Sequence, residues 1–141
     1  MNNNELGTID EKLRLADSFN KQIANIFRVI ESKIQKNADM VRLKNIIGGV
    51  RGGWPLFMIE RCKDKLWKDS KSIINRDEKY FINRSFDEYI KKDENQKYIE
   101  NIIDIIQSQY SELNKNEKNC IWKYIEQMLS DSIKFKILTK S

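Results

Sequence analysis

The chain has 141 residues and a mass of 16.8 kDa, room for one domain whose hydrophobic core holds without a metal or disulfide scaffold. With 40% hydrophobic and 33% charged residues and a formal charge of +5, it is a charge-rich globular sequence, not a disordered one. It has no histidine and only two cysteines, Cys62 and Cys120, which excludes within the chain Ser/His and Cys/His catalytic pairs, imidazole acid–base chemistry, His-containing metal sites and four-cysteine clusters.

Residues 1–7 are expected to form a polar tail. Thr8 and Glu11 then read as a capping box opening a long helix over about 9–36. Its apolar positions Leu13, Ala16, Ile23, Phe27, Ile30 and Ile34 keep helical spacing with Asn20 in the same seam, and Leu15, Phe19 and Ile26 make a neighbouring stripe. So wide an arc suits a core helix packed on two neighbours; a self-associating coiled coil with Asn20 setting register is the alternative. Asn37 or Asp39 can cap a shorter helix through Met40, Val41, Leu43, Ile46 and Ile47. Gly48–Trp54, with four of the five glycines, is the clearest break. Pro55 fits the first position of the next helix, about 55–75. That helix is expected to bury Ile59, Cys62, Leu66 and Ile73, with Leu56, Trp67 and Ile74 on its flank.

Residues 75–81 read as a turn or a short helical piece. Ser85 and Glu88 make a second capping box ahead of Phe86, Tyr89 and Ile90, and Asp93 caps a helix over about 94–113. There Ile99, Ile102, Ile103, Ile106, Tyr110 and Leu113 share one face. Asn114-Lys115-Asn116 is the predicted connector to a last helix at about 117–137, which carries Ile121, Trp122, Tyr124, Ile125, Met128, Leu129 and Ile133. Residues 139–141 are left as a tail. No sustained period-2 alternation, hairpin signal or repeat is present. The expected fold is all-α, a compact single-domain bundle of five or six helices over 8–138, with one long N-terminal helix and a glycine-rich connector at 48–54.

Charge is uneven: residues 51–85 carry nine basic against five acidic side chains, whereas 86–141 carry nine against ten. Gly48-Gly49-Val50-Arg51-Gly52-Gly53 invites an anion-site reading, yet Trp54-Pro55 stands where a P-loop needs Lys and Ser/Thr, so a plain helix connector is the better reading. Arg51, Trp54 and Phe57, at the mouth of the following helix, are the candidate partner-binding residues, Trp54 being partly accessible. Arg61, Lys65 and Lys68 lie on roughly the opposite side from the apolar face and, with Arg51, are the candidate nucleic-acid contacts; Asp64, four residues before Lys68, partly neutralises them. Adjacent carboxylates such as Asp77/Glu78 and Asp87/Glu88 diverge by ~100° on a helix and cannot share a substrate. Trp67 and Trp122 are expected in the core, and the two cysteines are expected to be buried, reduced thiols. No apolar run approaches the length of a membrane span, and Met1-Asn2-Asn3-Asn4-Glu5 lacks a signal-peptide core.

Two stretches carry a resemblance. Leu66-Trp67-Lys68-Asp69 running into Ile74-Asn75-Arg76-Asp77-Glu78-Lys79-Tyr80-Phe81, and Cys120-Ile121-Trp122-Lys123-Tyr124 with Met128-Leu129, resemble a group of small helical proteins encoded by nucleocytoplasmic large DNA viruses. The likeness covers about 55–135 and its motifs are structural. It implies a viral origin in an AT-rich genome, in keeping with 21 Ile, 19 Lys and 14 Asn against three Ala. It implies no activity. The resulting expectation is a non-enzymatic component of a viral assembly, plausible as a minor virion or capsid-associated protein, made in the host cytoplasm. Its partners would be other subunits or a second copy, with no cofactor, metal, membrane or small-molecule substrate. A basic nucleic-acid accessory protein is the alternative.

Overall fold

The computed structural model describes residues 3–31, 33, 45, 55–79 and 96–140. Among these it contains five helices and no strand: α1 (Asn3–Glu31), α2 (Phe57–Lys68), α3 (Ser70–Ile74), α4 (Gln96–Tyr110) and α5 (Lys115–Lys140). The all-α bundle with a long N-terminal helix is as the hydrophobic spacing predicts. The expected helix over Met40–Ile47, the glycine connector, the Ser85/Glu88 box and the Asp93 cap lie outside the described residues.

α1 and α5 run antiparallel as the central pair. Ser18 Oγ donates to Asp131 Oδ2 at 2.7 Å, and at the other end Lys33 Nζ lies 3.3 Å from Glu117 Oε1. The buried arc of α1 is wide: Leu15, Ala16, Phe19, Asn20, Ile23, Ala24, Ile26, Phe27 and Ile30. It serves α5 on one side and α2 and α4 on others. Asn20 donates inside the chain, its Nδ2 to the Pro55 carbonyl at 3.0 Å, while its buried Oδ1 accepts no hydrogen bond among the described residues. This amide ties the entry of α2 to the middle of α1, so the seam belongs to a core helix and not to a coiled coil between copies. Leu13, expected in that seam, is 41% exposed, because it lies toward the end of the bundle, where neighbours are fewer.

Several boundaries differ from expectation for identifiable reasons. α1 already includes Asn3, so residues 3–7 of the expected polar tail are helical and Thr8 lies inside the helix rather than at its end; extending an existing helix costs little per residue, and no proline stops it. Glu11 accepts from Arg14 at 3.0 Å instead. Pro55 precedes α2 by two residues rather than opening it, and the Leu56 carbonyl takes the amide of Glu60. The single helix expected over 55–75 is broken at Asp69, whose backbone sits at φ −91° and ψ 7° with no side-chain cap, although its amide still bonds the Lys65 carbonyl. At the far end α5 runs through the expected tail to Lys140, with Thr139 Oγ1 donating to the Lys136 carbonyl at 2.9 Å.

The core joins α1 to Ile59, Cys62 and Leu66 of α2, Ile73 of α3, Ile105 and Tyr110 of α4, and Ile121, Trp122, Ile125, Leu129 and Phe135 of α5. Met58, Ile105 and Phe135 are core residues that spacing alone missed. α5 packs against α1, α2 and α3 at once, so its apolar residues are spread around the helix and Phe135 falls outside a single-stripe reading. Trp67 and Ile74, expected on the covered flank of one long helix, are 52% and 68% exposed: with the helix broken at Asp69, the flank they share is left uncovered.

Candidate interaction surface

Trp67 lies in the last turn of α2 and Ile74 ends α3; with Ile137 of α5, 64% exposed, they are large apolar side chains that the described fold does not cover. Ile74 lines a groove of about 390 Å³ with Leu129 and Ile133 as its apolar floor and Glu126, Ser130 and Lys134 along α5 beside it. Arg76 fixes one edge, its Nε donating to Glu126 Oε1 at 2.7 Å; this bond holds the guanidinium above its ordinary pKa.

Arg76 owes its position to the turn that ends α3. The amide of Asp77 reaches the Ser72 carbonyl at 3.0 Å and that of Arg76 reaches Ile73 at 3.1 Å, the paired bonds of a Schellman motif. Such a motif needs a left-handed residue after the helix cap, and Arg76 supplies it with φ 49° where glycine is usual. Asp77 Oδ1 then accepts from the Lys79 amide at 3.0 Å, while Glu78 Oε1 lies 3.3 Å from Lys118 Nζ. The two adjacent carboxylates do serve different partners. Asp87 and Glu88 lie outside the described residues.

Glu78 also edges a second cleft, of about 410 Å³, between the 75–79 turn, the end of α4 and the start of α5. At its base Trp122 Nε1 donates to Tyr110 Oη at 3.0 Å, Tyr110 Oη makes a long 3.4 Å contact to Glu78, and Lys118 Nζ sits 5.1 Å from the Tyr110 ring centre. Burial pushes the Tyr110 phenol above its ordinary pKa. Every polar group named in this cleft holds another element in place, which makes it a structural joint.

The residues singled out from sequence are placed as follows. Arg51 and Trp54, with Gly48–Gly53, lie outside the described residues. Phe57 is half-buried against the core, and the Arg61 guanidinium stacks 5.1 Å over its ring. Lys65 is half-buried and Lys68 exposed, both in the last turn of α2, where cations oppose the helix dipole. Asp64 has a partner on another helix. Lys136 of α5 takes it at 2.7 Å, and that hydrogen bond lowers the Asp64 pKa. The basic stripe therefore divides in burial: Arg61 lies over Phe57 and is half-buried, whereas Lys68 is exposed.

Cys62 is buried, and desolvation pushes its thiol up to about 12 against the opposing pull of Arg61. Cys120 is exposed, contrary to expectation, because the apolar face of α5 passes through Ile121 and Trp122 beside it. Both cysteines are free thiols. Among the described residues no cluster of three or more His, Cys, Asp or Glu could hold a metal ion, and no helix is long and apolar enough to cross a membrane. No protein family, curated protein or solved structure matches the chain.

Proposed function

We propose that the protein is a non-enzymatic interaction protein, a subunit of an assembly of a large DNA virus. The observation that carries this reading is the exposure of Ile74, 68% beside an apolar groove, and of Trp67, 52% in the last turn of the preceding helix. Large apolar side chains grouped on a rim of charged residues are the composition of a protein-binding surface, and tryptophan is among the residues that dominate binding energy. The carboxylates support the same reading, since Asp64, Glu78, Glu117, Glu126 and Asp131 each hold a side chain of another element. The viral setting rests on the resemblance of 66–81 and 120–129.

The test is mass spectrometry of purified virus particles and of whatever co-purifies with the chain from infected cells. The chain is expected in a defined complex, and Trp67→Ala is expected to weaken that complex roughly 30-fold or more while leaving the fold intact. A tight monomer missing from particles overturns the proposal. Binding to duplex DNA with a log–log salt slope of about −3 to −4, the value for ~4 phosphate contacts, transfers the function to nucleic acid.

A further inference from the structure

Positions four apart on α5 form two parallel rows. Glu126, Ser130 and Lys134 make a polar row; Leu129, Ile133 and Ile137 make an apolar row beside it. Rows of this spacing are the ridges that interdigitate when two helices cross at about −50°. Exposure rises along the apolar row: Leu129 is buried, Ile133 partly buried and Ile137 64% exposed. Ile74 stands at the side of the groove, 68% exposed.

The polar row is antisymmetric about Ser130. The acid lies four residues before it and the base four after, each ~6 Å along the axis. A two-fold axis at Ser130 would bring the acid of each copy opposite the base of the other, twice, with a small side chain at the crossing. The charge pattern of this face is thus complementary to itself. Arg76 engages Glu126 at Oε1, and a carboxylate accepts at two oxygens, so the same bond that fixes Glu126 at the groove edge leaves it able to meet a second cation.

We propose that this face of α5 pairs antiparallel with the same face of a second copy of the chain, Glu126 of each facing Lys134 of the other, with Ile133, Ile137 and Ile74 buried between them. The proposal rests on the interaction-protein reading and names the partner.

Sedimentation velocity over a wide concentration range tests it. The wild type is expected to pass from monomer to dimer. Lys134→Glu sets like charges face to face at two symmetric places and is expected to weaken association roughly tenfold. Glu126→Lys with Lys134→Glu re-pairs them and is expected to restore it. Ile137→Asp, at an exposed position, should abolish the dimer without lowering the melting temperature of the dilute monomer. Since Glu126→Lys also releases Arg76, melting curves accompany each variant; recovery by the double variant despite that loss supports the pairing. A folded double variant that does not recover overturns it. So does a dimer indifferent to Lys134→Glu and Ile137→Asp. A wild-type monomer that is nonetheless found in virus particles overturns self-pairing alone, whereas a monomer missing from particles overturns the interaction reading as well.

Discussion

Asp131 is buried, 2% exposed, where α5 meets α1, and its carboxylate is fully engaged: Ser18 Oγ donates at 2.7 Å and Gln127 Nε2 at 3.0 Å. Desolvation still outweighs those donors and the nearby Lys134, so the pKa is raised. A carboxyl with a raised folded pKa binds its proton more tightly folded than unfolded. Its contribution to stability is complete below the ordinary carboxylate pKa and is lost as pH rises through the folded value. Asparagine keeps the shape and cannot ionise, and both the Ser18 hydroxyl and the Gln127 amide can reorient to bond it. Asp131→Asn is therefore expected to melt higher than the wild type at pH 7, with the difference vanishing below about pH 4. A wild type that is the more stable at pH 7 would show that the two donors outweigh burial.

At the scale of the element, the start of α5 is the clearest case of a device the sequence carries openly. Asn114 and Glu117 form a reciprocal box: each backbone amide donates to the other's side-chain oxygen, both at 2.9 Å. The Asn114 amide is the main cause of the lowered Glu117 pKa, with Lys33 adding to it. Asn114→Ala is expected to cost roughly 0.5–2 kcal/mol in denaturant melts, and Thr8→Ala less than about 0.5 kcal/mol, since Thr8 caps no helix end. Equal costs would overturn this assignment of the cap. The two boxes show what was legible. Both match the pattern of a short polar residue followed three places later by an acid. Asn114 stands in a polar stretch that reads as a connector, so its box was overlooked, whereas Thr8 sits just before an apolar pattern and drew the helix boundary to itself. A pattern in one stretch of chain cannot tell whether helix already precedes it. The break at Asp69 was hidden for a related reason: one residue with non-helical dihedrals interrupts a periodicity that continues on either side. The antiparallel pairing of α1 with α5 was not legible either, since a wide apolar arc marks a core helix without naming its neighbour.

At the scale of the whole molecule, the three-way packing of α5 decides which tryptophans matter to the fold. Trp122 is 3% exposed, and its indole N–H bonds the Tyr110 hydroxyl, which in turn touches the turn after α3 through Glu78. Removing that ring leaves a cavity between α4 and α5 and takes the bound donor from Tyr110. Trp67 is half exposed at the last turn of α2 and spans no such junction. Both were expected in the core, since helical spacing places each beside apolar neighbours. Only the tertiary arrangement, which covers Trp122 and leaves the end of α2 open, separates them. Trp122→Ala is expected to cost ~3–5 kcal/mol, a large share of the 5–15 kcal/mol typical of a domain, while Trp67→Ala stays within about 0.5 kcal/mol. Urea midpoints with unchanged m-values measure both. If Trp67→Ala lowers the midpoint as far as Trp122→Ala in dilute monomer, then Trp67 is a core residue and no longer supports a binding surface. If it does so only at concentrations where the chain associates, the lost stability belongs to the assembly, because binding stabilises the folded state by mass action.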